Sequence, residues 1–263
     1  MTSTAIRFHS NQLSAAIHYP IDQQQSSFPT IIFVHGFVGS KVGDHRLFVK
    51  AANFFVQKGF ICFRFDFRGC GESDGDYQEV TVTKQLEELR AAIHYVSTLN
   101  RVNPEQIILI GHSLGGAITA LSASSFPSIQ NIVLWSPVAR PYLDIRFITG
   151  DEAILTAEKK GTFDYKGFLL SHDFFRDLNN HDPLEAITSY EGSIFIIHGD
   201  QDQEVPKENV ATYRKVINEK RNEQLIDVSY ISGADHTFTN TSWENELFHK
   251  TNKWLENVLN PRS

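Results

Sequence analysis

Ile107-Ile108-Leu109-Ile110-Gly111-His112-Ser113-Leu114-Gly115-Gly116 decides how this chain is read. Four apolar residues run into Gly-x-Ser-x-Gly, and small residues follow at Ala117, Ala120, Ser122 and Ala123. This is the pattern of a buried parallel strand, a very tight turn and a helix packed close behind it. Such a turn holds Ser113 in a strained backbone conformation with its hydroxyl pushed out of the sheet. Gly111 and Gly115 are needed because a β-carbon at either place would strike the neighbouring strand or helix. Gly-x-Ser-x-Gly also occurs in loops that only join a strand to a helix, so the rest of the chain has to decide.

Working outward, the same alternation repeats on both sides. Residues 5 to 21 alternate loosely and predict an opening antiparallel hairpin, followed by a polar surface turn at 22 to 27. Thr30-Ile31-Ile32-Phe33-Val34 is a short apolar strand ending in the loop His35-Gly36-Phe37-Val38-Gly39-Ser40. Leu47, Phe48, Ala51, Phe54 and Phe55 have helical spacing over 45 to 58, with Gly59 as a stop. A strand over 60 to 67 leads into Asp66-Phe67-Arg68-Gly69-Cys70-Gly71-Glu72-Ser73. A second helix is expected over about 81 to 99, broken by Asn103-Pro104 before a strand at 106 to 110. The helix after Ser113 should run to about Phe126, and Asn131 to Trp135 is another strand.

After Ser136-Pro137 the alternation stops until the strand Ser193 to His198. A crossover helix needs far fewer residues, and a structureless loop of that length is improbable. The interval is rich in aromatics (Tyr142, Phe147, Phe163, Tyr165, Phe168, Phe174 and Phe175) and reads as a cap over the strand ends. A loop from Asp200 to Pro206, a helix over 207 to 220, a strand at 225 to 231, the loop Gly233-Ala234-Asp235-His236 and a helix over about 243 to 259 complete the chain. The division expected is a core of 1–136 and 193–263 with a cap of 137–192. The fold class is α/β, a mostly parallel sheet flanked by helices. Ligands in such sheets sit at the carboxyl ends of the strands, where every Gly-rich loop above lies.

Composition narrows the partners. The chain has 263 residues, 41% of them hydrophobic, which is enough for a sizeable core. A net charge of −7 with both signs interspersed disfavours nucleic acid and anionic membrane surfaces. The 2 cysteines, Cys62 and Cys70, lack metal-ligand spacing and form no disulfide framework. The amino terminus lacks the pattern of a secretion signal, and no apolar run reaches the roughly 18 residues of a membrane span. The expectation is therefore a cytoplasmic protein acting on a small molecule, with a homodimer left open.

For Ser113 to be a nucleophile it needs a base, and the base needs an orienting carboxylate. His236 follows the last strand and Asp202 the strand before it, in the order Ser, acid, His. Asp200, Glu204 and Asp235 compete for the acid's role, although Asp200 better suits organising its own turn. His35 and His112 flank the site and are expected to bond loop carbonyls or pack behind the turn. Asp66 and Arg68 are expected to hold their loop together. Cys70 has no base near it in the pattern. An oxyanion needs backbone N–H donors, one from the residue after the nucleophile and one from an early loop, which here are Leu114 and Phe37. Each such donor contributes on the order of 3 kcal/mol to the transition state.

As an ordered set, His35-Gly36-Phe37, Asp66 to Ser73, Gly111 to Gly116, His198-Gly199-Asp200-Gln201-Asp202 with Val205-Pro206, and Gly233 to His236 resemble the α/β-hydrolase family. Within it, the chain is most similar to the small bacterial cinnamoyl (feruloyl) esterases. The likeness lies in Gly39-Ser40-Lys41 after the His-Gly-Phe loop, Phe65-Asp66-Phe67, Gly71-Glu72-Ser73-Asp74-Gly75, and Gly233 to Phe238. The resemblance implies a serine esterase with catalytic Ser113, Asp202 and His236, oxyanion amides at Phe37 and Leu114, an ester substrate, and no metal or organic cofactor. A monoacylglycerol lipase, thioesterase or oligopeptidase-like hydrolase on the same scaffold remains open, as does a non-catalytic binding module.

Overall fold

A computed structural model describes residues 3–21, 26–220 and 226–260. Ten strands and nine helices are found among them, in the order β1 (Ser3–Phe8), β2 (Leu13–His18), β3 (Phe28–Val34), α1 (Leu47–Gln57), β4 (Ile61–Phe65), α2 (Val82–Ser97), β5 (Val102–His112), α3 (Leu114–Ala123), β6 (Asn131–Trp135), α4 (Pro141–Thr149), α5 (Asp151–Lys160), β7 (Thr162–Tyr165), β8 (Phe168–Ser171), α6 (His172–Leu178), α7 (Pro183–Ala186), β9 (Ser193–Gly199), α8 (Glu208–Lys220), β10 (Ile226–Ile231) and α9 (Thr241–Leu259). An eight-stranded sheet runs β1-β2-β4-β3-β5-β6-β9-β10. β2 is antiparallel to both β1 and β4, and every later neighbour pair is parallel. β7 and β8 form a separate antiparallel ribbon.

The apolar runs are continuous because both faces of the central strands are covered. Ile107 and Leu109 of β5 join Ile32 and Val34 of β3 in one core. Ile108 and Ile110 join Ile31 and Phe33 in the other, against Phe48, Phe55 and Trp135. Successive side chains point to opposite faces, so each strand feeds two cores at once. Unbroken apolar runs, four residues long at 31–34 and at 107–110, are therefore what the central positions require.

Several boundaries differ from the sequence expectation. Pro104 does not precede β5 but lies inside it. Pairing with β3 jumps from Phe28↔Val102 to Thr30↔Ile107, so the missing Pro104 amide falls in an irregularity where no ladder bond is lost. Helix α3 stops at Ala123 rather than Phe126, because Ser125 and Phe126 close tighter turns onto Ser122 and Ala123. Helix α1 starts two residues later than 45, since His45 and Arg46 take left-handed conformations at φ 39° and 67°. Residues 22–25 of the expected polar turn and residue 225 of the expected last strand lie outside the described residues.

The interval between β6 and β9 holds α4 to α7 and the β7–β8 ribbon. Its sequence carries more aromatics than periodicity. Phe174 and Phe175 are buried at its centre, whereas Tyr165 and Phe168 are half-exposed and face the carboxyl end of the sheet alongside Phe37 and Tyr77. No helix among the described residues is long and apolar enough to cross a membrane.

Candidate active site

Strand β5 delivers Ser113 into a backbone conformation of φ 58° and ψ −125°. A non-glycine residue there carries strain of order 1–3 kcal/mol, which persists only when the surroundings over-determine it. They do so here. The Ser113 amide donates to the Trp135 carbonyl at 2.9 Å, and the Ser113 carbonyl accepts from Gly116 and Val138 at 2.9 and 3.1 Å. A β-carbon on Gly111 would overlap the Gly115 carbonyl, and one on Gly115 would overlap the Val34 carbonyl. The two glycines thus let the helix lie directly against β5 and β3.

Two loops bring the other side chains to this turn. The β9 loop carries Asp202, and the β10 loop carries His236. His236 Nε2 lies 2.9 Å from Ser113 Oγ, and His236 Nδ1 lies 2.7 Å from Asp202 Oδ2. Because Nδ1 faces a carboxylate, it donates; Nε2 is then the acceptor for the serine hydroxyl. The Asp202 side chain is fully buried. Its Oδ1 accepts from the amides of Glu204 and Val205, both at 2.9 Å. Burial alone would raise this carboxyl, but hydrogen bonds from His198, His236 and Val205 outweigh it and hold it well below the usual carboxylate range. Asp200 does not reach His236. Its Oδ1 accepts from the Gly233 amide at 2.7 Å and ties the two loops together. Asp235 instead receives the Thr239 amide at 2.9 Å.

The early loop comes equally close. A β-carbon on Gly36 would stand 2.8 Å from Ser113 Cβ and 3.3 Å from the Leu114 amide nitrogen. The Phe37 and Leu114 amides donate to no other group among the described residues. The Phe37 ring is held from the β6–β9 interval: it stacks on Phe174 at 5.7 Å and 12° and lies 5.4 Å from Tyr165. The next residue, Val38, has φ 47°, and its amide donates to the Tyr77 hydroxyl at 3.1 Å.

The flanking residues brace these loops. His35 Nε2 accepts from the Phe67 amide at 3.1 Å, and Nδ1 donates to the Gly36 carbonyl at 3.0 Å. Burial holds the His35 imidazole below its ordinary value. His112 Nε2 donates to the His236 carbonyl at 2.9 Å, and burial lowers its pKa to about 3, so it stays neutral. Asp66 receives the Lys41 amide and ammonium, both at 2.5 Å, and the Glu72 amide at 2.9 Å, organising its loop. The Arg68 amide donates to Glu88 Oε2 at 2.8 Å. Cys70 is buried and its thiol is pushed up by that burial, so it carries no thiolate. Sequence reasoning gave no role to His198, Val38 or Tyr77. Only Gly-punctuated loops marked their neighbourhood, and the partners lie far apart in the chain.

Ser113 and His236 open into a cavity of about 640 Å³, also lined by Phe37, Ile148, Tyr165 and Phe168. That volume falls within the roughly 300–1,000 Å³ of small-molecule sites. Among the described residues, no group of three or more His, Cys, Asp or Glu side chains is placed to hold a metal ion.

Known proteins resemble this chain in sequence and in fold. The quorum-quenching protein AidA of Acinetobacter baumannii is 27% identical over 134 residues, which are 50% of this chain and 43% of that protein. The mitochondrial palmitoyl-protein thioesterase ABHD10 of Pongo abelii is 26% identical over 191 residues, 68% of this chain and 58% of that one. The chain thus spans about half the length of these relatives. The structure of Est1E from Butyrivibrio proteoclasticus with ferulic acid bound superposes with a TM-score of 0.83 at 23% identity, covering 97% of this chain and 99% of that one. Its likeness is one of fold. The family profile described as alpha/beta hydrolase fold matches residues 29–161, and the chain belongs to that family.

Proposed function

We propose that the chain is a serine carboxylic-ester hydrolase acting through an acyl-enzyme on small aryl or short-chain esters such as hydroxycinnamates. The observation that carries this reading is the continuous hydrogen-bonded path from Ser113 through His236 to Asp202, opening at Ser113 into the 640 Å³ cavity. Ser113 Oγ attacks the ester carbonyl carbon as His236 Nε2 takes its proton. Asp202 keeps the His236 proton on Nδ1 and stabilises the imidazolium that forms. The Phe37 and Leu114 amides receive the oxyanion of the tetrahedral intermediate. His236 then protonates the leaving alkoxide, and water repeats the sequence on the acyl-enzyme. Residues 137–192 serve as the cap: Ile148, Tyr165 and Phe168 supply its share of the cavity wall. The four rings of Phe37, Phe48, Tyr165 and Phe168 in that wall suit a flat acyl group better than a long flexible chain.

The test is a panel of hydroxycinnamate methyl esters, short-chain and long-chain aryl esters, and acyl thioesters, run on the wild type and on Ser113→Ala. The aryl and short-chain esters should be preferred, and Ser113→Ala should lose turnover while keeping its fold. Substantial turnover in Ser113→Ala sinks the nucleophile assignment. Preference for long chains or thioesters in the wild type overturns the substrate class.

A further inference from the structure

The Asp202 oxygen that faces His236 has a second imidazole on it. His198 Nε2, at the end of β9, lies 3.0 Å from Asp202 Oδ2, and both side chains are fully buried. The same Nε2 is 3.1 Å from the Val205 carbonyl. Both neighbours of Nε2 are acceptors, so Nε2 carries the ring proton. Nδ1 is buried with no hydrogen-bond partner among the described residues. An imidazole holding one polar atom unpaired in a dry interior is an expensive way to fill space. A purely apolar side chain would pack there without that penalty.

We propose that His198 is a positioning residue for the base: its donation to Asp202 Oδ2 fixes the carboxylate that orients His236 and sets how strongly that carboxylate draws on His236. The inference rests on the Ser113–His236–Asp202 reading above. Asp202 Oδ1 is already held by the Glu204 and Val205 amides. Without His198, Oδ2 would have His236 as its one donor among the described residues. With His198 in place, Oδ2 is shared between an immobile strand residue and the moving partner of the reaction. The carboxylate cannot then rotate to follow His236 as the imidazole gains and loses its proton. The hydrogen bond from His198 also stabilises the carboxylate's charge, which tempers its pull on the His236 proton. The titratable groups facing this pair are Asp202 on its own loop, His236 from the β10 loop and His112 from the end of β5, whose own charge state is fixed by burial.

The test uses the rate at which a fluorophosphonate labels Ser113, measured against pH, so no substrate need be known. His198→Leu removes the donor. His198→Asn keeps an amide too short to reach Oδ2, and His198→Gln places its Nε2 near the position of the lost one. The leucine and asparagine variants should label about 10- to 100-fold more slowly, the worth of a hydrogen bond to a charged group. Their acidic limb should move to higher pH, because an untempered carboxylate holds the His236 proton longer. His198→Gln should recover both rate and limb. Wild-type rates in a folded leucine or asparagine variant overturn the proposal, as does equal loss in all three with an unmoved limb. If the leucine variant does not fold, the asparagine and glutamine pair gives the same decision. Absence of labelling in the wild type would instead overturn the nucleophile reading, and this inference with it.

Discussion

The amide of Val38 donates to the buried Tyr77 hydroxyl at 3.1 Å, and this bond holds a β-branched residue at φ 47°. Left-handed backbone costs such a residue roughly 1–2 kcal/mol. Tyr77 therefore anchors the backbone next to Phe37, whose amide is an oxyanion donor in the proposed mechanism. Tyr77→Phe keeps the ring contacts with Phe168 and Phe174 and removes only the hydroxyl. The expected result is a kcat lowered about tenfold or more with KM changed less than about twofold, since the interaction lost is one made to the transition state. Steady-state kinetics beside a thermal melt would separate this from simple destabilisation.

Asp202→Asn should leave the backbone cradle of Glu204 and Val205 intact through Oδ1. With Oδ1 kept as that cradle's acceptor, the group facing His236 Nδ1 becomes an amide NH2, a donor. The imidazole then favours the wrong tautomer, and kcat should fall about 10⁴-fold. Turnover within tenfold of wild type would show that another carboxylate orients His236.

Glu88 gives the fold a pH dependence of its own. Burial raises its carboxyl from an ordinary 4.5 to about 7, against the opposing donation from the Arg68 amide. Its folded pKa is above its unfolded one, so the native state binds the proton more tightly. The stabilisation is fully present below about 4.5 and is lost as pH rises through about 7. At most about 3 kcal/mol is at stake, scaled at 1.36 kcal/mol per pH unit. Glu88→Gln can still accept from Arg68, and should flatten the stability profile and raise the urea midpoint at pH 8 relative to wild type. Parallel wild-type and variant profiles between pH 5 and 8 would count against it.

Gly115→Ala places a methyl group onto the Val34 and His35 backbone. Backbone cannot swing aside as a side chain can, so α3 must lift from the sheet. The variant should be insoluble or should melt far below wild type, whereas Ser113→Ala, two residues away, should not.

The tight turn at Ser113, the strand-end loops that carry Asp202 and His236, and the two-faced sheet were legible in the chain because each is a local pattern. Apolar runs mark strands that are covered on both faces, and glycines mark places where backbone meets backbone. Asp200 and Asp202 could be told apart in principle by turn chemistry, and Asp200 indeed serves the Gly233 amide. The interval from 137 to 192 was less readable. Its helices are short and its β7–β8 ribbon is small, so neither period persists long enough to declare itself. Pro104 misled in the other direction, because a proline's damage depends on whether its missing amide would have been paired, which is a property of β3 as much as of β5.

By itself, then, the sequence determined the alternation of strand and helix, the strained turn at Ser113 and the strand ends to which the acid and the histidine belong. These follow from spacing and from the steric freedom of glycine, which act over a few residues. Only the tertiary structure decided that His198 shares Asp202 Oδ2, that Tyr77 secures Val38, and that Phe174 and Tyr165 hold Phe37. Hydrogen bonds and ring contacts have reaches of 3 to 6 Å in space and no fixed reach along the chain. Where partners stand 39 residues apart, as Val38 and Tyr77 do, nothing local marks the bond.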